Sequence, residues 1–126
     1  MDNIHKEILG LMGKIDINCH NEGNVIIFDL VGQLDIYNSG EVQKLADAYI
    51  ARGFTKLIMN LEKVTYLDSS TISVFISNFQ KLKKIGGRFI LASLHGAPKD
   101  VFEMAKLHDV FEIFPDVSSA AKSMAV

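Results

Sequence analysis

What the chain lacks narrows it first. It has one cysteine, Cys19, in 126 residues, so no disulfide can form within it. Cys19 stands in an apolar/polar alternation, which marks a small buried hydrophobe in a reducing cytosol. No lysine/arginine run forms a stripe, and a net charge of −2 offers nothing to a nucleic-acid backbone. No apolar stretch approaches the roughly 20 residues of a membrane span. The start does not read as an export signal, because Asp2 and Glu7 sit where positive charge would be needed and no run of about 7–15 apolar residues follows. With two prolines there is no Pro/Ser-rich linker, and there is no repeat or low-complexity tract. A 48% hydrophobic and 22% charged chain of this length is one ordinary globular domain, expected in the cytoplasm.

Catalytic signatures are missing too. There is no Gly-x-Ser-x-Gly elbow for a serine nucleophile, and no Gly-x-x-x-x-Gly-Lys or Gly-x-Gly-x-x-Gly loop for phosphates. His5, His20, His95 and His108 are scattered, with no pair at metal-ligand spacing. A phospho-aspartate receiver could use Asp68. It would also need an acidic cluster for Mg²⁺, and Asp29 and Asp35 are single acids around a hairpin strand. The expectation is no enzyme, no metal and no cofactor.

What is present is periodicity. Residues 2–12 carry Ile4, Ile8 and Leu11 at helical spacing, a short extension over residues 1–13 ahead of a domain spanning 14–126. Lys14 to His20 alternates as a half-buried strand. Asn21 to Asn24 is a turn, and Val25 to Val31 reads as a strand covered on both faces. Asn38 with Glu41 forms a candidate capping box for a helix buried through Val42, Leu45, Ala46, Tyr49 and Ile50. A strand follows at 56–61. The clearest helix then places Ile72, Phe75, Ile76, Phe79, Leu82 and Ile85 on one face, with Lys81, Lys83 and Lys84 crowding its last turn and Gly86-Gly87 ending it. Further strands at 88–93 and 110–114 alternate with two helices, the first opened by Pro98 and carrying Val101, Phe102, Ala105 and Leu107, the second opened by Pro115-Asp116. The class is α/β: a mixed, mostly parallel sheet with an N-terminal β-hairpin and about four packing helices. These are expected to crowd one face.

The chain is organised around Val64-Thr65-Tyr66-Leu67-Asp68-Ser69-Ser70-Thr71, where an apolar run stops at an acid and a helix begins at once. Capping explains such residues, since their side-chain oxygens accept the unpaired N–H groups of a first turn. Three hydroxyls at a helix mouth also make a place where a phosphoryl group could be added and held by free N–H donors.

Leu61 to Ser70, with the helix that ends at Gly86-Gly87, resembles the STAS-domain anti-sigma factor antagonists of bacteria. Gly32-Gln33-Leu34-Asp35 is similar to that family's Gly-x-Leu-Asp segment, and Phe111 to Phe114 with Asp116 and Ala120 to its last strand and helix. The resemblance implies a STAS-like fold and a non-catalytic switch. The unphosphorylated form binds an anti-sigma factor that doubles as a serine kinase, which frees a sigma factor. The kinase, using Mg-ATP, phosphorylates the serine after the aspartate and ends binding; a serine phosphatase restores it. Here the acceptor maps to Ser69, with Ser70 and Thr71 as alternatives, and the docking surface to Asp35, Asp68, Ser69, Ser70 and Thr71. The family has glycine where this chain has Thr71, so a branched side chain is expected where a kinase would dock. The second reading is a STAS module serving as a structural or accessory subunit of a signalling scaffold or transporter complex. No membrane contact is expected of the antagonist, and a weak homodimer is left open.

Overall fold

The computed structural model describes residues 15–125; the expected N-terminal helix lies outside them. Among the described residues, strands β1 (Ile15–Glu22), β2 (Val25–Leu34), β3 (Lys56–Leu67), β4 (Arg88–Ala92) and β5 (Glu112–Phe114) form one sheet in sequential order. The hairpin pair β1–β2 is antiparallel and the later pairs are parallel. The connections are helices α1 (Ser39–Ala51), α2 (Ser69–Lys84) and α3 (Gly96–Met104), and α4 (Val117–Met124) closes the chain.

The strand order dictates the layers. Right-handed crossovers taken always in the same direction put their helices on one face. Ile26, Phe28 and Leu30 of β2, with Leu57, Met59 and Leu61 of β3 and Phe89 and Leu91 of β4, bury against α1, α2 and α3. The alternate residues Val25, Ile27, Ile58, Ile90 and Ala92 bury against Ala120 and Met124 of α4 on the other face. Among the described residues, that face is covered only at one end. Farther along, Asp29 accepts hydrogen bonds from His20 and Asn60, both at 2.8 Å, in a partly open polar row. Helices therefore crowd one face as expected, with α4 the exception.

Several details differ from the expectation. Strand β3 continues past Leu61 to Leu67, because β2 goes on pairing with it through two register shifts after β4 has ended opposite Asn60. Strand β2 likewise reaches Leu34, with Gly32 at φ 114° in the bulged stretch. The Asn38–Glu41 capping box does not form: the Asn38 side chain instead donates to the Gln33 carbonyl (2.7 Å) and accepts from the Asp35 N–H (2.9 Å). Leu107 belongs to a separate 3-10 turn, Ile85 is exposed past the end of α2, and Pro98 is the third helical residue, within the first turn where its missing N–H costs nothing. Cys19 is half-buried, and burial pushes its thiol pKa up to about 11 despite the opposing hydrogen bond with Tyr49.

The Gly86-Gly87 stop has two physical causes. Gly86 takes φ 76°, and Gly87 packs so closely that an added Cβ would collide with the Thr55 carbonyl.

Candidate functional site

Paired residues Leu34 and Leu67 are the last of β2 and β3, so the loops after them emerge side by side. One loop carries Asp35, Ile36 and Tyr37; the other carries Asp68 and opens α2.

Asp68 is the N-cap. Its Oδ1 accepts from the N–H of Ser70 (3.0 Å), the N–H of Thr71 (3.4 Å) and the hydroxyl of Ser70 (2.5 Å). One carboxylate oxygen thus takes two of the helix-mouth donors that were expected to stand free for a phosphate. The donors are not vacant, and an anion arriving at Ser69 would meet a charge already seated there.

The three adjacent hydroxyls have three different surroundings. Ser69 is exposed, and its hydroxyl makes no hydrogen bond with the described residues. Its carbonyl accepts from the Ser73 hydroxyl at 3.0 Å, which steadies the first turn. Ser70 is half-buried and its hydroxyl is engaged by Asp68. Thr71 is 1% exposed, and its Oγ1 is buried without a partner. The reason is helical phase. Thr71, Phe75, Asn78 and Leu82 are the buried residues of α2, spaced four, three and four apart. Thr71 therefore contributes no surface. The expected docking role of its side chain does not survive, and neither does its candidacy as an acceptor. Its branched side chain does not crowd the exterior either.

Asp35 is half-buried. Its Oδ1 accepts the Tyr37 N–H at 2.9 Å, and its carbonyl accepts the Ser39 N–H at 2.9 Å. Asn38, fully buried, ties this turn back to Gln33. Between residues 31 and 43 and between 64 and 80 the chain has three acids (Asp35, Glu41 and Asp68) and no lysine or arginine. Sequence reasoning passed over Ile36, Tyr37 and Tyr66, which are 71%, 69% and 48% exposed at this end. The available signal was two consecutive apolar residues in a stretch too short for either strand or helix. Among the described residues no group of three His, Cys, Asp or Glu is placed to hold a metal. Nor is any helix there long and apolar enough to cross a membrane.

The family model of the STAS domain matches residues 16–120. The chain belongs to the STAS domain family. The anti-sigma-B factor antagonist of Listeria monocytogenes is 27% identical to this STAS domain over 100 residues, 79% of this chain and 87% of that protein. The anti-sigma-B factor antagonist of Bacillus subtilis is 26% identical over 100 residues, covering 79% and 91%. Among solved structures, an anti-sigma factor antagonist from Mycobacterium paratuberculosis superposes with a TM-score of 0.78 at 19% identity, over 86% of this chain and 92% of that one, a likeness of fold.

Proposed function

We propose that this STAS domain is an anti-sigma factor antagonist switched by phosphorylation at Ser69. It works in the cytoplasm with no catalysis or cofactor of its own. With Ser69 free, the face made by Asp35, Asp68, Ser69 and Ser70 binds an anti-sigma factor that is also a serine kinase, and a sigma factor is released. The kinase transfers the γ-phosphoryl of Mg-ATP to Ser69 Oγ. The new O–P bond replaces the bond to the bridging oxygen, ADP leaves, and the hydroxyl proton passes to a base of the kinase. A phosphatase adds water across the ester and returns the hydroxyl with inorganic phosphate.

One observation carries this reading: of three neighbouring hydroxyls, Ser69 is the exposed one without an internal partner, while Asp68 engages Ser70 and the core encloses Thr71. The names of the relatives from Listeria and Bacillus support it. The electrostatics do as well. Phosphate brings about −1.5 to −2 charge to a face that already has Asp35 and Asp68, with no lysine or arginine at 31–43 or 64–80. With Asp68 filling the helix mouth, the phosphoryl group points outward, toward the partner, and like charge with poor desolvation there ends binding without unfolding anything.

The test is a pull-down from the host with wild type, Ser69→Ala and Ser69→Asp, each with Mg-ATP. Ser69→Ala is expected to hold the partner through the ATP incubation. Ser69→Asp should retain it roughly tenfold less well or worse. Mass spectrometry should find phosphate on Ser69 of the wild type. Equal capture by both variants would remove charge as the signal. A large assembly indifferent to ATP would put the accessory-subunit reading in its place.

A further inference from the structure

We propose that Ile36, Tyr37 and Tyr66 are the apolar anchor by which this face grips its partner protein, and that the partner receives them in a pocket rimmed by lysine or arginine. The inference rests on the antagonist reading and adds a division of labour to it: the anchor supplies affinity and Ser69 supplies the switch.

The core does not account for these side chains. Leu34 and Val42 on either side of the first loop are 0% and 1% exposed, while Ile36 and Tyr37 between them are 71% and 69% exposed. Nor do they dangle. The turn that presents them is closed by Asn38 bonding to Gln33 and Asp35, by the Asp35 carboxylate accepting from Tyr37, and by the Asp35 carbonyl accepting from Ser39. A turn built this tightly around two outward apolar side chains lowers the ordering cost of binding. Tyr66 is exposed on the neighbouring strand at the same end of the sheet, where its backbone pairs with Gln33, two residues before Asp35. Large side chains on a hydrogen-bonded turn, with a polar tip on each tyrosine, are the kind that dominate protein interfaces.

Charge selects the partner. Asp35 and Asp68 follow the paired ends of β2 and β3, and no lysine or arginine lies at 31–43 or 64–80; the cations nearest these acids in sequence are Lys44 and the exposed Lys63. A second copy would bring the same acids against each other across a twofold axis, so self-association is disfavoured. A basic rim around an apolar pocket satisfies both features.

The decisive measurement uses the full chain and the host protein that wild type recovers and Ser69→Asp loses, purified and titrated by calorimetry. The Ile36→Ser/Tyr37→Ser variant should bind about 30-fold or more weakly, and Tyr66→Ser several-fold more weakly. Met104→Ser serves as the control, removing a side chain 85% exposed on α3, and should bind as wild type does. Thermal melts check the fold, and if the double variant is unstable the single Tyr37→Ser answers the same question. Wild-type affinity in the folded anchor variants would overturn the anchor while leaving the antagonist reading intact. If no host protein meets the recovery criterion, that reading fails and the anchor with it. A wild-type dimer that these variants dissolve would make these three residues a contact between copies and overturn the basic-partner assignment.

Discussion

Thr71 puts a hydroxyl where the fold offers it nothing. Its oxygen is buried, unpaired, and one helical turn before Phe75 on the stripe that faces the sheet. A buried hydroxyl without a partner costs about 1–3 kcal/mol relative to an apolar group of the same shape. Thr71→Val should therefore raise unfolding free energy by about 1 kcal/mol in urea titration and leave partner capture unchanged. A loss of stability would mean that the hydroxyl has a partner after all. The sequence carried the clue: counting back four from Phe75 reaches Thr71, and counting on three reaches Asn78. Neither belongs to the apolar stripe that the sequence announces, because polar residues are not expected on a buried face. That Asp68 holds the hydroxyl of Ser70 and leaves that of Ser69 was not legible in the same way, since residue type does not separate two adjacent serines.

Among elements, α2 was the most legible, since its apolar residues, its acid cap and its glycine stop all agree. Its end makes a sharper claim than punctuation. Gly86 needs glycine for its positive φ, with open space around it, whereas Gly87 needs glycine because the Thr55 carbonyl occupies the place of a side chain. Gly87→Ala should destabilise by about 2–3 kcal/mol and Gly86→Ala by roughly 1, read as a difference in denaturation midpoints. Equal costs would mean that the segment at Thr55, just before β3, gives way. The lengths of β2 and β3 were less legible. Glu62, Lys63, Thr65 and Tyr66 are exposed and look like loop, yet β2 supplies backbone partners through a bulged register that no pattern of side chains announces. The Asn38–Glu41 spacing misled for a related reason: a buried asparagine found better partners in the preceding turn than in its own helix.

At the scale of the molecule, the described residues hold the sheet from one side with three helices and from the other with α4. That last helix is latched at both ends. Asp116 accepts the Ser119 N–H at 2.7 Å, while Lys56 and Arg88 donate to the carbonyls of Met124 and Ser123, each at 2.8 Å. The bond from the Ser119 backbone holds the Asp116 carboxyl below its ordinary value of 3.8. A depressed carboxylate stabilises the fold fully above its unfolded pKa, and that contribution disappears as pH falls through the lower folded value. Acidification below about pH 4 should therefore loosen the first turn of α4, seen as faster amide exchange at Ser119 and Ala120 than in α2, and Asp116→Asn should weaken this acid dependence. Uniform exchange across both helices would argue that this turn does not loosen separately. The alternation of elements was readable from the sequence; that α4 lies on the opposite face was not, since its placement depends on where β5 leaves the sheet.

Ser69 and the lysines at 81, 83 and 84 occupy opposite ends of the same helix. At about 1.5 Å per residue, Ser69 and Lys81 are roughly 18 Å apart along the axis. The Debye length in physiological salt is about 8 Å, so the two ends are electrically deaf to each other. Esterifying the serine would not be neutralised internally. Its charge would be felt only within about a Debye length of the helix mouth, so the switch acts at contact, on whatever a docked protein sets against Ser69.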